Sequence, residues 1–187
     1  MRRDQLEHAI RASCQILGRE EVIVIGSQAI LGSFGEEQLP ADATMSLEVD
    51  ILPISDDDSE VDEMADLLGG AAGEFSLFEE AHGFSIDGVD LTTATLPEGW
   101  RDRLVKVQNA NTAPPAGKPE FTGWCLEKHD LCASKLCAFR EKDINFVSAL
   151  LRAGLVDAGT VAERLRKLPS NDATKADRAL PWLNQYL

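Results

Sequence analysis

Leu6, Ile10, Cys14 and Leu17 recur at helical spacing among Arg and Glu, which predicts an amphipathic helix over residues 3–17. The unbroken apolar run Val22-Ile23-Val24-Ile25 reads as a short buried strand, closed by Gly26-Ser27, and residues 28–32 predict a short helix. Residues 32–43 contain Gly, Pro and acids and read as a loop. Leu47, Val49 and Ile51 then alternate with Ser46, Glu48 and Asp50, the period of a strand with one buried face. The acidic run 55–60 suits a helix N-terminus; Val61, Met64, Ala65 and Leu68 continue that helix, and Gly69-Gly70 predicts its stop. Residues 84–91 alternate around Asp87-Gly88 and predict a strand, a tight turn and a second strand, with Asp87 in the turn. Residues 104–107 and 121–125 are further strands on either side of a Pro- and Asn-rich loop. From Glu127 onward the pattern is helical, broken at Ser170-Asn171-Asp172. This order predicts an α/β fold: a small mixed sheet flanked by helices within residues 1–125, and a helical region, 126–187, packed on it.

Composition narrows the class. With 187 residues and 44% hydrophobic content the chain can bury one sizeable core. No stretch approaches the roughly 18 apolar residues of a membrane span, and the N-terminus lacks the apolar centre of a signal peptide, so a cytoplasmic protein with no membrane role is expected. Cys14, Cys125, Cys132 and Cys137 form no CxxC and read as buried reduced thiols. His8, His82 and His129 share no ligand spacing, and the acidic run lacks the calcium-loop pattern of Gly at six and Glu at twelve.

The net charge of −14 is unevenly spread. Residues 20–99 hold 20 acids and no Lys or Arg; the other 12 acids share the rest of the chain with all 18 basic residues, a net charge of +6 there. A basic footprint for nucleic acid therefore exists only outside residues 20–99.

The candidate chemistry begins with Glu48 and Asp50. On a strand they project from one side, where each raises the cost of ionising the other. A divalent cation removes that cost, and Mg²⁺ is held by one or two carboxylates together with substrate phosphates. The strand, Gly26-Ser27 and following helix offer backbone N–H groups and a hydroxyl to a phosphate. Asp90, on the polar face of a later strand, is the candidate third carboxylate, as metal ligand or general base. Lys128, Lys135 and Lys142 recur every seven residues and share a face on a continuous helix, where Lys135, aided by Arg140 or Lys142, would neutralise phosphate charge and Asp143 would orient one of these bases. Arg101 and Arg103 are either phosphate contacts or ordinary surface residues.

Gly26-Ser27 followed by Glu48-Val49-Asp50 resembles the signature of the DNA polymerase β-like nucleotidyltransferases, and more closely the minimal branch of the AbiEii and MenT toxins. In that branch the strand often reads Arg-x-Thr-x-Asp-Ile-Asp; here Thr44 stands at the Arg position, Ser46 at the Thr and Glu48 at the first Asp. Asp130, Leu131, Lys135, Leu136, Ala138, Arg140, Lys142 and Asp143 match a second pattern of the branch, with Phe146 where a further Asp is common. The resemblance implies a Mg²⁺-dependent nucleotidyltransferase using a nucleoside triphosphate, CTP or UTP in several members. It also implies tRNA 3′ ends as acceptor, with translation blocked, and a cognate antitoxin as partner. It assigns metal binding to Glu48, Asp50 and Asp90, phosphate contacts to Gly26, Ser27, Lys135, Arg140 and Lys142, and a catalytic role to Asp143. The alternatives are a transferase that adenylylates a protein and a noncatalytic binding module retaining the fold.

Overall fold

A computed structural model describes residues 1–116, 118 and 120–187. Helix α1, Arg3–Leu17, covers the sheet with Leu6, Ile10 and Cys14, all fully buried. Each aliphatic side chain so removed from water contributes roughly 1.5–3 kcal/mol. Strand β1, Glu21–Ile25, leads into a 3₁₀ turn, Ser27–Gly32. The segment expected to be a loop contains a single helical turn, α2, Ala41–Thr44, before β2, Glu48–Leu52. Leu47, expected in the strand, lies outside it and is 53% exposed.

Helix α3, Asp58–Ala72, is capped by Asp57, whose side chain accepts the Ser59 N–H. It runs through Gly69-Gly70 rather than stopping there. Leu68 and Ala72 are fully buried, and that burial outweighs the cost of about 1 kcal/mol per helical glycine. After α4, Leu77–His82, comes a single strand β3, Ser85–Gly88, in place of the predicted hairpin. Gly88 is needed for packing, not for a turn: a Cβ there would fall 2.1 Å from the Ala65 carbonyl oxygen on α3. Strands β4, Val105–Val107, and β5, Thr122–Cys125, complete the sheet.

The sheet order is β3-β2-β1-β5-β4, with β2 antiparallel to β1, β3 parallel to β2, β5 parallel to β1 and β4 antiparallel to β5. Alternation divides its two faces. Val22, Val24, Val49, Ile51 and Ile86 join the main core, while Ile23, Ile25 and Leu52 belong to a smaller cluster with Val61 and Val89. Glu48 and Asp50 share the strand face of Leu52, beside that smaller cluster.

Four helices follow: α5, Lys128–Ala138; α6, Glu141–Arg152; α7, Ala158–Leu165; and α8, Ala173–Leu183. The expected continuous helix is broken between α5 and α6. Phe139 adopts φ 56°, with the Arg178 guanidinium 4.3 Å from its ring centre and Trp182 edge-on at 6.3 Å. Lys128, at the start of α5, does not join Lys135 at a shared site; it donates to the Leu155 carbonyl and lies over Phe34. Asp130, fully buried near the start of α5, receives a bidentate Arg103 (2.7 and 3.1 Å) and the Arg164 guanidinium of α7 at 3.0 Å. This ion cluster ties α5, α7 and the turn Trp100–Arg103 together. Among the described residues no helix is long and apolar enough to cross a membrane. The four cysteines are free and buried, and burial pushes the Cys14, Cys125 and Cys132 thiols up to about 12.

His8 sits edge-on to Phe78, His82 and Phe84. Burial first, then Arg11 and His82, lower its pKa to about 4, against a partial opposing pull from Asp4. The unfolded chain thus binds the proton first, and His8 costs stability as pH falls from about 6.5 to about 4. His8→Phe is expected to flatten that loss, read as urea midpoints at pH 7, 5 and 4; an unchanged slope would place the acid sensitivity elsewhere.

Candidate active site

Strand register builds the acidic wall. Ile25, Asp50 and Asp87 lie in one row across β1, β2 and β3, and Glu48 lies one pleat from Asp50. Each of Glu48, Asp50 and Asp87 offers a carboxylate oxygen within 4.8 Å of the others. Burial, then Glu48, then Asp87 raise the Asp50 pKa to about 6, while Lys135 and Lys142 oppose the shift. Three crowded carboxylates of this kind are a hard oxygen donor set of the type that Mg²⁺ or Mn²⁺ accepts.

The third acid is Asp87, not Asp90. Asp90 lies beyond the end of β3, where its Oδ1 accepts the N–H and hydroxyl of Thr92, both at 2.6 Å. It caps a turn and lines a neighbouring hollow instead. The sequence did carry a signal for Asp87: Ser85 and Asp87 fit one short strand with the same polar alternation as Glu48 and Asp50, and the Asp-Gly pair obscured it.

Gly26 closes the acidic wall from β1. Its backbone, φ 66° and ψ −170°, lies in a region essentially confined to glycine, and a Cβ there would fall 1.7 Å from Asp50 Oδ2. Gly26→Ala is expected to push the Asp50 carboxylate aside and weaken divalent-cation binding about 10- to 100-fold, as outer-shell changes do. Calorimetric titration with Mn²⁺ checks this; parental affinity would mean that the contact is irrelevant to the acids.

The helices supply the basic wall. Lys135 of α5, Arg140 and Lys142 around the start of α6, and Lys175 of α8 line the same hollow of about 480 Å³ as Gly26, Ser27, Glu48, Asp50 and Asp87. Asp143 is fully buried and holds two of these bases in place: Lys135 Nζ at 3.2 Å and Arg140 Nε at 2.7 Å. Burial would raise the Asp143 pKa, but Arg140 and Lys135 outweigh it and keep the carboxyl below its usual range. Burial holds the Lys135 ammonium below its ordinary value, although Asp143 and Asp50 both oppose this. Lys175 is braced by Asp172 and the Thr95 hydroxyl, each at 2.7 Å. Thr92 to Thr95, Ser46 and Ser134 also line it.

All expected site residues except Asp90 and Asp143 therefore line one hollow, with Asp143 supporting it from beneath. Arg103 is occupied by Asp130, and Arg101 faces the neighbouring hollow. Lys175 and the Thr92–Thr95 wall were missed because they come from a turn and a distant helix with no spacing relation to the acids. The arrangement can hold a polyanion between a cation-binding acidic wall and a basic one.

A protein-family model described as a nucleotidyltransferase of unknown function, DUF6036, matches residues 4–179. No curated protein and no solved structure matches the chain.

Proposed function

This chain belongs to the DUF6036 nucleotidyltransferases, and from that membership we propose that it transfers a nucleotidyl group from a nucleoside triphosphate to an acceptor hydroxyl, with Mg²⁺ as cofactor. The observation that carries this reading is the convergence of Glu48, Asp50 and Asp87 with Lys135, Arg140, Lys142 and Lys175 on one hollow. Glu48, Asp50 and Asp87 would hold the metal, which when bound offsets charge on the transferring phosphate. Lys135 and its neighbours would bind the polyphosphate, and Gly26 and Ser27 would border it. The acceptor oxygen attacks the α-phosphorus, its bond to the β-phosphate oxygen breaks, and pyrophosphate leaves. Asp87, exposed and level with Asp50 on the neighbouring strand, takes the acceptor proton. The protein's part is chiefly positioning and charge stabilisation.

Two acceptors compete. The Gly26-Ser27…Glu48-Val49-Asp50 and Asp130 to Asp143 motifs resemble AbiEii and MenT toxins. They support a cytoplasmic toxin that adds nucleotides, from CTP or UTP, to tRNA 3′ ends and is silenced by a cognate antitoxin. The absence of any Lys or Arg from residues 20–99, which supply the acidic wall, favours a protein acceptor instead, because RNA binding relies on basic contacts to phosphate. Incubation with labelled ATP, CTP and UTP, Mg²⁺, tRNA and total protein separates the two. Label in RNA supports the toxin reading, and label in protein replaces it. No label and no nucleotide binding would leave only a binding module with the fold.

A further inference from the structure

A second hollow, of about 280 Å³, adjoins the first and shares Thr92 with it. Buried Leu52 and Val61 form its apolar base, and Ile54 (38% exposed) and Leu91 (45% exposed) stand open at its edge. Asp58 and Asp62 of α3 and Asp90 of the following turn also line it. Arg101 is its single lining cation among the described residues, and that guanidinium stacks 4.6 Å from the centre of the Trp100 ring.

An apolar depression edged by three carboxylates selects by charge as well as shape. A phosphodiester backbone laid across it would meet Asp58, Asp62 and Asp90 with one arginine to compensate. A polypeptide with an apolar side chain flanked by Lys or Arg would fill the base and pair with the rim. We infer that this second hollow docks the acceptor, and that the acceptor is a basic polypeptide segment presenting a hydroxyl across Thr92 to the nucleotide. The inference rests on the nucleotidyl-transfer reading for the fate of that hydroxyl, but docking itself needs no nucleotide.

The test is calorimetric titration with a short synthetic peptide in which Lys and Arg flank Leu and Ser, with its counterpart carrying Glu for each basic residue, and with tRNA. The parent, Asp62→Arg, Leu91→Ser and Asp50→Asn are compared; Asp62 and Leu91 are exposed, and thermal melts confirm that each variant folds. The basic peptide alone should bind, more weakly as salt screens the rim. Asp62→Arg and Leu91→Ser should each lower its affinity about tenfold, a change of roughly 1.4 kcal/mol, while Asp50→Asn should leave it unchanged. The inference is overturned if the basic peptide does not bind, if both hollow variants bind it as the parent does, or if tRNA binds the parent and loses affinity with Leu91→Ser. Peptide that docks but takes no label from any nucleoside triphosphate would uphold the docking site and reject the docked segment as the acceptor.

Discussion

Asp50→Asn is expected to reduce nucleotidyl transfer by on the order of 10³-fold or more, while leaving the metal-free protein at least as stable as the parent. The activity loss follows from removing the central ligand of three: several kcal/mol of transition-state charge stabilisation, at about 1.4 kcal/mol per tenfold in rate. The stability expectation follows from the sign of the pKa shift. Asp50 titrates at about 6 in the folded protein, above the ordinary carboxyl range, so the folded state holds this proton more tightly than the unfolded chain. Its ionisation therefore costs stability as pH rises from about 4 to about 6, and that cost persists at neutral pH. Asparagine removes the charge and with it the repulsion from Glu48 and Asp87. Added Mg²⁺ should raise the parent's melting temperature at pH 7 and leave that of Asp50→Asn unmoved. A variant that melts well below the metal-free parent, or that keeps its activity, would contradict the assignment. The His8 effect runs the opposite way over nearly the same pH range, so the two single variants separate contributions that partly cancel in the parent.

Asp130→Ala is expected to destabilise the protein by about 3–5 kcal/mol, the usual result of removing one partner from a buried ion cluster. At roughly 2–4 °C per kcal/mol for a chain of this size, the melting temperature should fall by about 10 °C. The reason is local: Arg103 and Arg164 are left facing a void with largely buried side chains and no counter-charge. Asp130→Asn keeps the shape and part of the hydrogen bonding, and should lose less. Because α5 also carries Lys135, nucleotide affinity should weaken in Asp130→Ala even well below its melting temperature. Melting curves for the pair of variants check this, and equal, small shifts would mean that the cluster contributes little beyond packing.

Much of this was legible in the sequence because it rests on local period. The alternation around Glu48 and Asp50 set their common face, and the Gly26-Ser27 interruption marked the turn that borders them. What failed was decided by packing between distant segments. Asp87-Gly88 has the composition of a tight turn, yet Gly88 is glycine because α3 presses on β3 at Ala65, so the strand carries Asp87 into the site and leaves Asp90 outside. Lys128 fits a seven-residue repeat with Lys135 and Lys142, but it is taken up at the start of α5 by the Leu155 carbonyl and Phe34, and Phe139, held by Arg178 and Trp182 from α8, takes a left-handed backbone and ends the helix between Lys135 and Lys142. The same break brings Asp143 under Lys135 and Arg140. Glycine at 69 and 70 signals a helix stop, and buried Leu68 and Ala72 override it. Lys175 reaches the hollow only through the packing of α8 and left no local trace.

The most direct test is crystallographic: anomalous scattering from crystals grown with Mn²⁺ and a nonhydrolysable nucleoside triphosphate analogue. The account predicts a Mn²⁺ peak among the carboxylates of Glu48, Asp50 and Asp87, with the analogue's phosphates between it and Lys135. Nucleotide density in that hollow with no peak at the three acids, or a peak only at the acidic run of residues 56–58, would contradict it.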